Sequence, residues 1–156
     1  MISFNVLGRQ GRLGNQMFQY AALLGIAMRR GYEFCIPPSL SDDMGSSHQL
    51  FQAFNLPSLK CIGWQRGSRS VTESTFAYDA NLANNCPNHV DLFGHYQTEK
   101  YFKDIENVIR LEYRFKEEVE RSCRQIVDNI PRPVVSLHVR RTDYVDSESH
   151  ATCDKE

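Results

Sequence analysis

The chain has 156 residues, the size of one ordinary domain, with 41% hydrophobic residues, 24% charged residues and a formal net charge of −1. This composition is typical of a folded globular protein and excludes the low hydrophobicity and large net charge of a disordered one. Because basic residues are not in excess, the charge balance gives no reason to expect nucleic acid or an anionic membrane as a partner.

The first 36 residues predict a strand, a helix and a second strand. Residues 2–7 are rich in β-forming residues, and a glycine-rich segment follows, with Asn15 as the predicted helix cap. Two arginines and a glycine at 29–31 suit a helix end, and residues 32–36 resemble a second strand. The apolar positions that predict the helix are spaced three and four apart: Met17, Tyr20, Ala21, Leu24 and Met28. A βαβ opening of this kind predicts an α/β fold with a parallel sheet.

The middle of the chain carries weaker signals. Residues 39–89 predict loops, one or two short helices near 50–54 and a strand near 60–64. Residues 90–96 predict a third main strand, and a helical turn should begin within 99–104.

The C-terminal third predicts one more helix and one more strand. The helix is indicated by a second set of apolar positions, which ends before two prolines: Val119, Cys123, Ile126, Val127 and Ile130. The run VVSLHV at residues 134–139 is typical of a buried parallel strand. Alternation along that strand would place Ser136, His138 and Arg140 on one side.

Cysteine spacing and the N-terminus bear on the compartment. The five cysteines are odd in number, widely spaced and without a CxxC pair: Cys35, Cys61, Cys86, Cys123 and Cys153. Disulfide frameworks and zinc sites group their cysteines more tightly, so free thiols are the favoured interpretation and no metal site is predicted. With no signal-peptide pattern and no apolar run near the ~20 residues that span a bilayer, we expect a cytoplasmic protein or a soluble piece of a larger one.

Three segments combine residues that suit binding chemistry. The first is GRQGRLGNQ at residues 8–16, between a strand and a helix, where backbone N–H groups, Arg9 and Arg12 could receive an anion. The alternative is a glycine turn that only joins the two elements. The second is HVRRTD at 138–143, at the carboxyl end of a predicted strand, where Arg140 could clamp a diphosphate. The alternative there is a surface arginine–aspartate pair beside a core histidine.

The third segment is GHYQTEKYFKD at residues 94–104. Gln97, Glu99, Tyr101 and Asp104 offer polar and aromatic groups of the kind that a sugar site uses. Packing is the favoured alternative for the aromatic residues, because aromatics near a helix start usually belong to the core.

Together these segments resemble one family. GRLGNQMFQYA at 11–21, GHYQTEKYFKD at 94–104 and HVRRTDY at 138–144 look like the hallmark stretches of α-1,2-fucosyltransferases, in that order. The resemblance implies a fold of the GT-B type, with two Rossmann-like domains of parallel sheet and flanking helices. It implies transfer of fucose from GDP-β-L-fucose to a galactoside hydroxyl with inversion, without an obligatory metal or other cofactor.

The resemblance also implies roles for individual residues. Arg140 matches the arginine that holds the β-phosphate, and Arg12 and Asn15 match the loop that reaches toward the donor phosphates. His138 matches the histidine that contacts the nucleotide. The remaining donor-side positions are Gly11, Gly14, Arg141 and Asp143, and the acceptor-side positions are Gln97 and Tyr101.

Two features depart from the family pattern. Thr142 stands where the α-1,2 family more often has glycine, which is similar to the α-1,6 and protein O-fucosylating branch. Full family members are also nearly twice as long, so we expect residues 1–133 to form the acceptor-side domain and 134–156 to begin a truncated donor domain. A strand without its own sheet must join another, which leaves a homodimer open.

Three functional interpretations follow from the sequence. The first is a fucosyltransferase that is weak or inactive alone. The second is a transferase that completes its cleft by association with another chain. The third is a non-catalytic module that binds a nucleotide or glycan. GDP-fucose and a galactose-containing glycan are the expected ligands, and no nucleic acid is expected.

Overall fold

The structure is a computed structural model that describes residues 1–39, 49–67 and 69–139. The chain divides into two compact units, Met1–Glu120 and Arg121–Glu156. Four strands are described, all in the first unit: β1 (Ile2–Ser3), β2 (Phe34–Cys35), β3 (Arg69–Thr72) and β4 (Val90–Phe93). The helices are α1 (Leu13–Arg30), α2 (Leu50–Ala53), α3 (Ala80–Asn85), α4 (Glu106–Glu112) and α5 (Glu117–Val127), and two 3₁₀ turns lie at Glu99–Tyr101 and Lys103–Ile105.

The four strands form one parallel sheet in the order β2-β1-β4-β3. Ser3 on β1 pairs with Cys35 on one side and with Asp91 on the other. Ile36 adds a parallel bridge to Ile62 beyond β2. The prediction of an α/β fold with a parallel sheet and flanking helices is therefore confirmed.

Strand β1 is shorter than the predicted 2–7 because the chain turns after Ser3. The carboxylate of Asp91 accepts hydrogen bonds from the Ser3 hydroxyl and the Asn5 N–H, both at 2.8 Å. Two turn hydrogen bonds then follow, from Leu7 N–H to the Phe4 carbonyl and from Arg9 N–H to the Val6 carbonyl. Leaving the ladder here brings the glycine-rich segment to the carboxyl edge of the sheet.

Helix α1 is the central helix of the first unit. Residues 19–27 are buried around nearly the whole helix, including Tyr20, Leu23, Leu24 and Ile26. Met28, which the sequence placed on the buried face, is 48% exposed. Gly31 ends the helix as predicted, in a left-handed conformation with φ 66°.

Several elements differ from the predictions in the middle of the chain. The strand near 60–64 is reduced to the single bridge at Ile62, whereas β3, α3 and α4 were not predicted. Helix α2 and the helical turn at Glu99–Tyr101 are confirmed. Strand β3 was missed because its residues RSVT are mostly exposed and lack a periodic apolar signal.

In the second unit the structure describes residues 121–139. Helix α5 confirms the predicted helix, although none of its residues is buried. The predicted strand at 134–139 does not form among the described residues, and Val135 and Leu137 are 89% and 86% exposed. A strand exists only through hydrogen bonds to a neighbour, so a β-rich run without a described neighbour stays outside the sheet. No helix in the described parts of either unit is long and apolar enough to cross a membrane.

Candidate functional site

The candidate site lies at the carboxyl edge of the sheet in the first unit. Strand β1 leads through the glycine-rich segment into α1, and the chain returns to β2 on one side of β1, while β4 lies on the other side. This is the position where strand order reverses, and open parallel sheets bind ligands in the crevice outside such strand ends. The segments that follow β1, β3 and β4 all reach this edge because the strands are parallel.

The glycine-rich segment has backbone conformations that favour glycine. Gly8 and Gly11 both have φ 93°. A Cβ on Gly11 would also lie 1.8 Å from the Asn15 amide nitrogen, so the segment depends on glycine at this position for two reasons. In contrast, apart from its chain neighbours and the backbone of α1 itself, no described atom lies within 4 Å of the Cβ position of Gly14.

The N-terminus of α1 carries no side-chain cap. Arg12 occupies the N-cap position without a side-chain capping hydrogen bond, and the helix begins at Leu13. The prediction that Asn15 caps the helix is therefore wrong, because Asn15 already lies in the first turn. First-turn N–H groups lack partners within a helix and attract negative charge, and Arg9 and Arg12 are exposed beside them.

Two buried glutamines on α1 hold the glycine-rich segment. Gln16 donates to the Gly11 carbonyl at 3.3 Å and accepts from the Gln49 N–H at 2.8 Å. Gln19 donates to the Gln10 carbonyl at 3.3 Å and to the Gly94 carbonyl at 2.9 Å. Gln19 therefore links the segment after β1 to the segment after β4.

The segment after β4 is held by a carboxylate. Glu73, just after β3, accepts hydrogen bonds from the N–H groups of His95 and Tyr96 at 3.1 and 2.8 Å. Gly94 has φ 148° and Tyr96 has φ 54°, an uncommon value for a residue with a side chain. A carboxylate that satisfies two N–H groups at once can stabilise such a conformation.

A direct hydrogen bond joins two of the predicted segments. Gln97 donates from its amide nitrogen to the Asn15 amide oxygen at 2.7 Å, across 82 residues of sequence. Both residues were predicted from separate segments, and the structure places them side by side at the edge of the sheet.

Unpartnered polar atoms gather around the same segments. Among the described residues, four buried side-chain atoms have no hydrogen-bond partner: Gln10 Oε1, Gln19 Oε1, His95 Nδ1 and Tyr96 Oη. The Gln19 amide is oriented by its two carbonyl acceptors, since only its NH₂ group can donate to them. Its oxygen is therefore a buried acceptor without a donor. Such groups are rare in folded proteins, and their usual partners are an ordered water, an ion or a ligand.

An exposed aromatic side chain borders this group. Phe76 stacks on the imidazole of His95 with ring centroids 5.4 Å apart, and Phe76 is 71% exposed. A flat apolar surface beside hydrogen-bonding groups suits a ligand that has both an apolar face and polar substituents.

Tyr101 lies in the core rather than at the surface. It is fully buried, and its hydroxyl accepts from the Asp79 N–H at 3.0 Å and donates to Glu73 at 3.3 Å. Burial raises the pKa of Tyr101 to about 12. Tyr101 therefore helps to hold the Glu73 carboxylate in place from the core, in agreement with the packing alternative for this aromatic residue.

Most of the second predicted phosphate-binding segment, residues 138–143, lies outside the part of the chain that the structure describes. His138 is exposed in the second unit, and Arg140, Arg141 and Asp143 lie outside the described residues. The predicted roles of these four residues stay predictions.

Four residues that organise the candidate site were not predicted individually: Gln16, Gln19 and His95, which lie within the segments that resemble the family, and Glu73, which lies outside them. Gln16 and Gln19 carried a usable signal, because two polar residues lie among the apolar positions of a buried helix. Glu73 carried no local signal, since its partners lie more than twenty residues away in sequence.

Neither of the two described cavities is at this edge. One, of about 570 Å³, includes Met1, Glu33 and Lys60, and the other, of about 450 Å³, lies along α4. In the described part of the chain no group of three or more His, Cys, Asp or Glu side chains could hold a metal ion.

Comparisons with protein-family models, with curated proteins and with solved structures gave no match. The structure therefore establishes the α/β class, and function has to be inferred from the site.

Proposed function

We propose that the chain is a fucosyltransferase of the α-1,2 type that uses GDP-fucose, and that its first unit is the acceptor-side half of a GT-B enzyme. The proposal combines the resemblance of three sequence segments with the arrangement of two of them at one edge of the sheet. The observation that carries it is the hydrogen bond between Asn15 and Gln97. Two segments that resemble the same family from distant parts of the sequence form one surface.

The chemistry of this surface supports a ligand that is rich in hydroxyl groups. Gln10 and Gln19 hold buried, unpartnered oxygen acceptors, and His95 holds a buried ring nitrogen that donates or accepts according to its tautomer, so a ligand reaches these atoms only when the segments around them move apart. After such a movement a sugar hydroxyl can donate to the acceptors, while the exposed Phe76 offers a surface for the apolar face of the ring. These features match a galactoside, which has several hydroxyl donors, better than a fully ionised phosphate, which has no donor for either glutamine oxygen.

Exposed donors beside the same surface suit the nucleotide sugar. In the proposed reaction the acceptor hydroxyl oxygen attacks C1 of fucose, the bond from C1 to the β-phosphate oxygen breaks, and GDP leaves with the bonding electrons. The acceptor proton passes to a base or to solvent. Negative charge grows on the β-phosphate, where Arg12 and, by the resemblance, Arg140 would stabilise it. Gly14 and the first turn of α1 offer backbone N–H groups to the same charge.

A non-catalytic glycan-binding module is the second candidate. It is favoured by the unpartnered acceptors at Gln10 and Gln19, because they suit a sugar whether or not transfer follows. This candidate requires galactoside binding and no transfer, whereas the enzyme requires both.

Calorimetric titration with GDP-fucose and, separately, with lactose tests both candidates. We expect Arg12→Ala to weaken GDP-fucose binding by about 10- to 100-fold, the typical loss of a hydrogen bond to a charged group. Gln97→Ala should weaken lactose binding by roughly 3- to 10-fold, the loss of a neutral hydrogen bond. Arg110→Ala is the matched control, since Arg110 is exposed on α4 and pairs with Glu106.

The outcomes separate the candidates. Binding of both ligands with formation of fucosylated lactose and GDP supports the enzyme, and Arg140→Ala should then abolish transfer. Lactose binding without GDP-fucose binding supports the module. Equal effects of Arg12→Ala and Arg110→Ala, or binding of neither ligand, would contradict the proposed site.

A further inference from the structure

Two cysteines far apart in the sequence meet at the edge of the sheet beyond β2. Cys35 is the last residue of β2, and the bridge between Ile36 and Ile62 places Cys61 directly beside it in parallel register. The Cys35 and Cys61 sulfurs are 2.8 Å apart. Backbone hydrogen bonds from Ile36 N–H to the Cys61 carbonyl and from Gly63 N–H to the Ile36 carbonyl hold the two segments together.

The backbone arrangement suits a covalent link. Neighbouring strands lie about 4.8 Å apart, which falls within the Cα separation of roughly 4.4–6.8 Å that a disulfide spans. Both side chains point to the same side of their segments, because their sulfurs are in contact. Little backbone movement is therefore needed to join them.

The two thiols differ in environment. Cys35 is 2% exposed and also contacts the Gly63 carbonyl at 3.2 Å, and burial raises the pKa of the Cys35 thiol. Cys61 is partly exposed and lines the cavity of about 570 Å³ beside Lys60. An oxidant therefore reaches Cys61 first, and Cys35 is the buried thiol behind it.

We propose that Cys35 and Cys61 form a reversible disulfide, a modification site that responds to a hydroperoxide. A hydroperoxide oxidises the Cys61 thiol to a sulfenic acid and is itself reduced to water or an alcohol. The Cys35 sulfur then attacks the Cys61 sulfur, the S–O bond breaks, and the hydroxide leaves as water with the Cys35 proton. A thiol reductant restores both thiols by exchange.

The bond would tie the segment at 61–63 to the sheet. It closes a loop from Cys35 to Cys61, which includes residues 40–48, and loop closure of this size restricts mainly the unfolded chain. We therefore expect the oxidised protein to melt roughly 5–10 °C above the reduced protein. The inference does not depend on the proposed transferase function.

The test uses the full chain with Cys123→Ser and Cys153→Ser, so that pairing between chains through these two residues is removed. Cys86, which is buried, stays as an internal control. After stoichiometric hydrogen peroxide, peptide mapping without reductant should find Cys35 linked to Cys61 and Cys86 still reduced. The melting temperature should rise and return on addition of dithiothreitol.

Cys61→Ser in the same background is the matched variant, because it removes the accessible thiol and leaves the buried one. It should give no crosslink and no change in melting temperature with peroxide. The inference is overturned if Cys61 proceeds to the sulfinic acid without a crosslink. It is also overturned if Cys61 pairs with Cys86, or if the crosslink forms only between chains.

Discussion

Gly14 is the residue that best separates binding from stability. It lies in the first turn of α1, and outside its chain neighbours and the backbone of that helix no described atom lies within 4 Å of its Cβ position. Gly14→Ala should therefore leave the free energy of unfolding unchanged or raise it by up to about 1 kcal/mol, since alanine favours the helix. A methyl group in the proposed ligand space should weaken GDP-fucose binding by roughly 5- to 100-fold.

Urea unfolding and calorimetric titration of the same variant check this prediction. Gly11→Ala is the contrasting variant, because its Cβ would meet Asn15 at 1.8 Å and its φ is 93°. It should lose stability as well as binding. Unchanged ligand affinity in a stable Gly14→Ala protein would place the ligand elsewhere.

At the scale of elements, α1 depends on a close approach to the 3₁₀ turns. A Cβ on Gly25 would lie 2.3 Å from the Tyr101 carbonyl oxygen and 3.0 Å from the Phe102 Cα, both of them backbone atoms. Arg29 adds two hydrogen bonds to the Asp104 carboxylate, at 2.6 and 3.2 Å, on the same side. The backbone-to-backbone contact at Gly25 leaves no room for a side chain.

Gly25→Ala should therefore destabilise the protein by about 1–3 kcal/mol, in spite of the higher helix propensity of alanine. The measurement is urea unfolding followed by circular dichroism, with Gly14→Ala as the control because both glycines lie in α1. Equal free energies of unfolding for Gly25→Ala and Gly14→Ala would contradict the close packing of α1 against the 3₁₀ turns.

At the scale of the whole molecule, four tyrosines make the protein sensitive to alkali. Burial raises the pKa values of Tyr20, Tyr96, Tyr101 and Tyr113 above the ordinary value of 10.0, in the case of Tyr101 to about 12. Above pH 10 the unfolded chain releases these protons while the folded protein retains them. Stability is therefore complete below about pH 10 and should fall by up to roughly 1.4 kcal/mol per pH unit for each tyrosine.

Tyr96→Phe isolates one member of this group. The Tyr96 hydroxyl is buried without a partner, so phenylalanine should cost little stability at neutral pH or add some. Above pH 10, the free energy of unfolding of this variant should fall less steeply with pH, because one fewer tyrosine contributes to the slope. Denaturation at a series of pH values, with ultraviolet absorbance as the measure of tyrosinate, checks both points. Ionisation of the buried tyrosines before unfolding would contradict the prediction.

The sequence predicted local features where the signal is local. Gly31 ends α1 in the left-handed conformation that a glycine after two arginines suggests. Helix α5 covers the predicted apolar positions from Val119 to Val127 and ends before the last one, Ile130. The apolar spacing predicted a helix but could not predict whether its apolar face is buried, and in the structure none of the α5 residues is buried. Cap position was also missed, because Arg12 precedes the better capping residue Asn15 at the start of the helix.

Periodicity and composition determined by themselves that this chain has an α/β fold with a parallel sheet, and the motifs alone predicted Asn15 and Gln97 as site residues. The tertiary structure decided which strands exist, because a strand needs a neighbour: β3 forms beside β4, and the run at 134–139 stays outside the described sheet. It also decided the partners of Gln19, Glu73 and Cys35. Their contacts join segments that are far apart in the sequence and meet only in the folded chain. The spacing of residues along the sequence therefore could not predict these contacts.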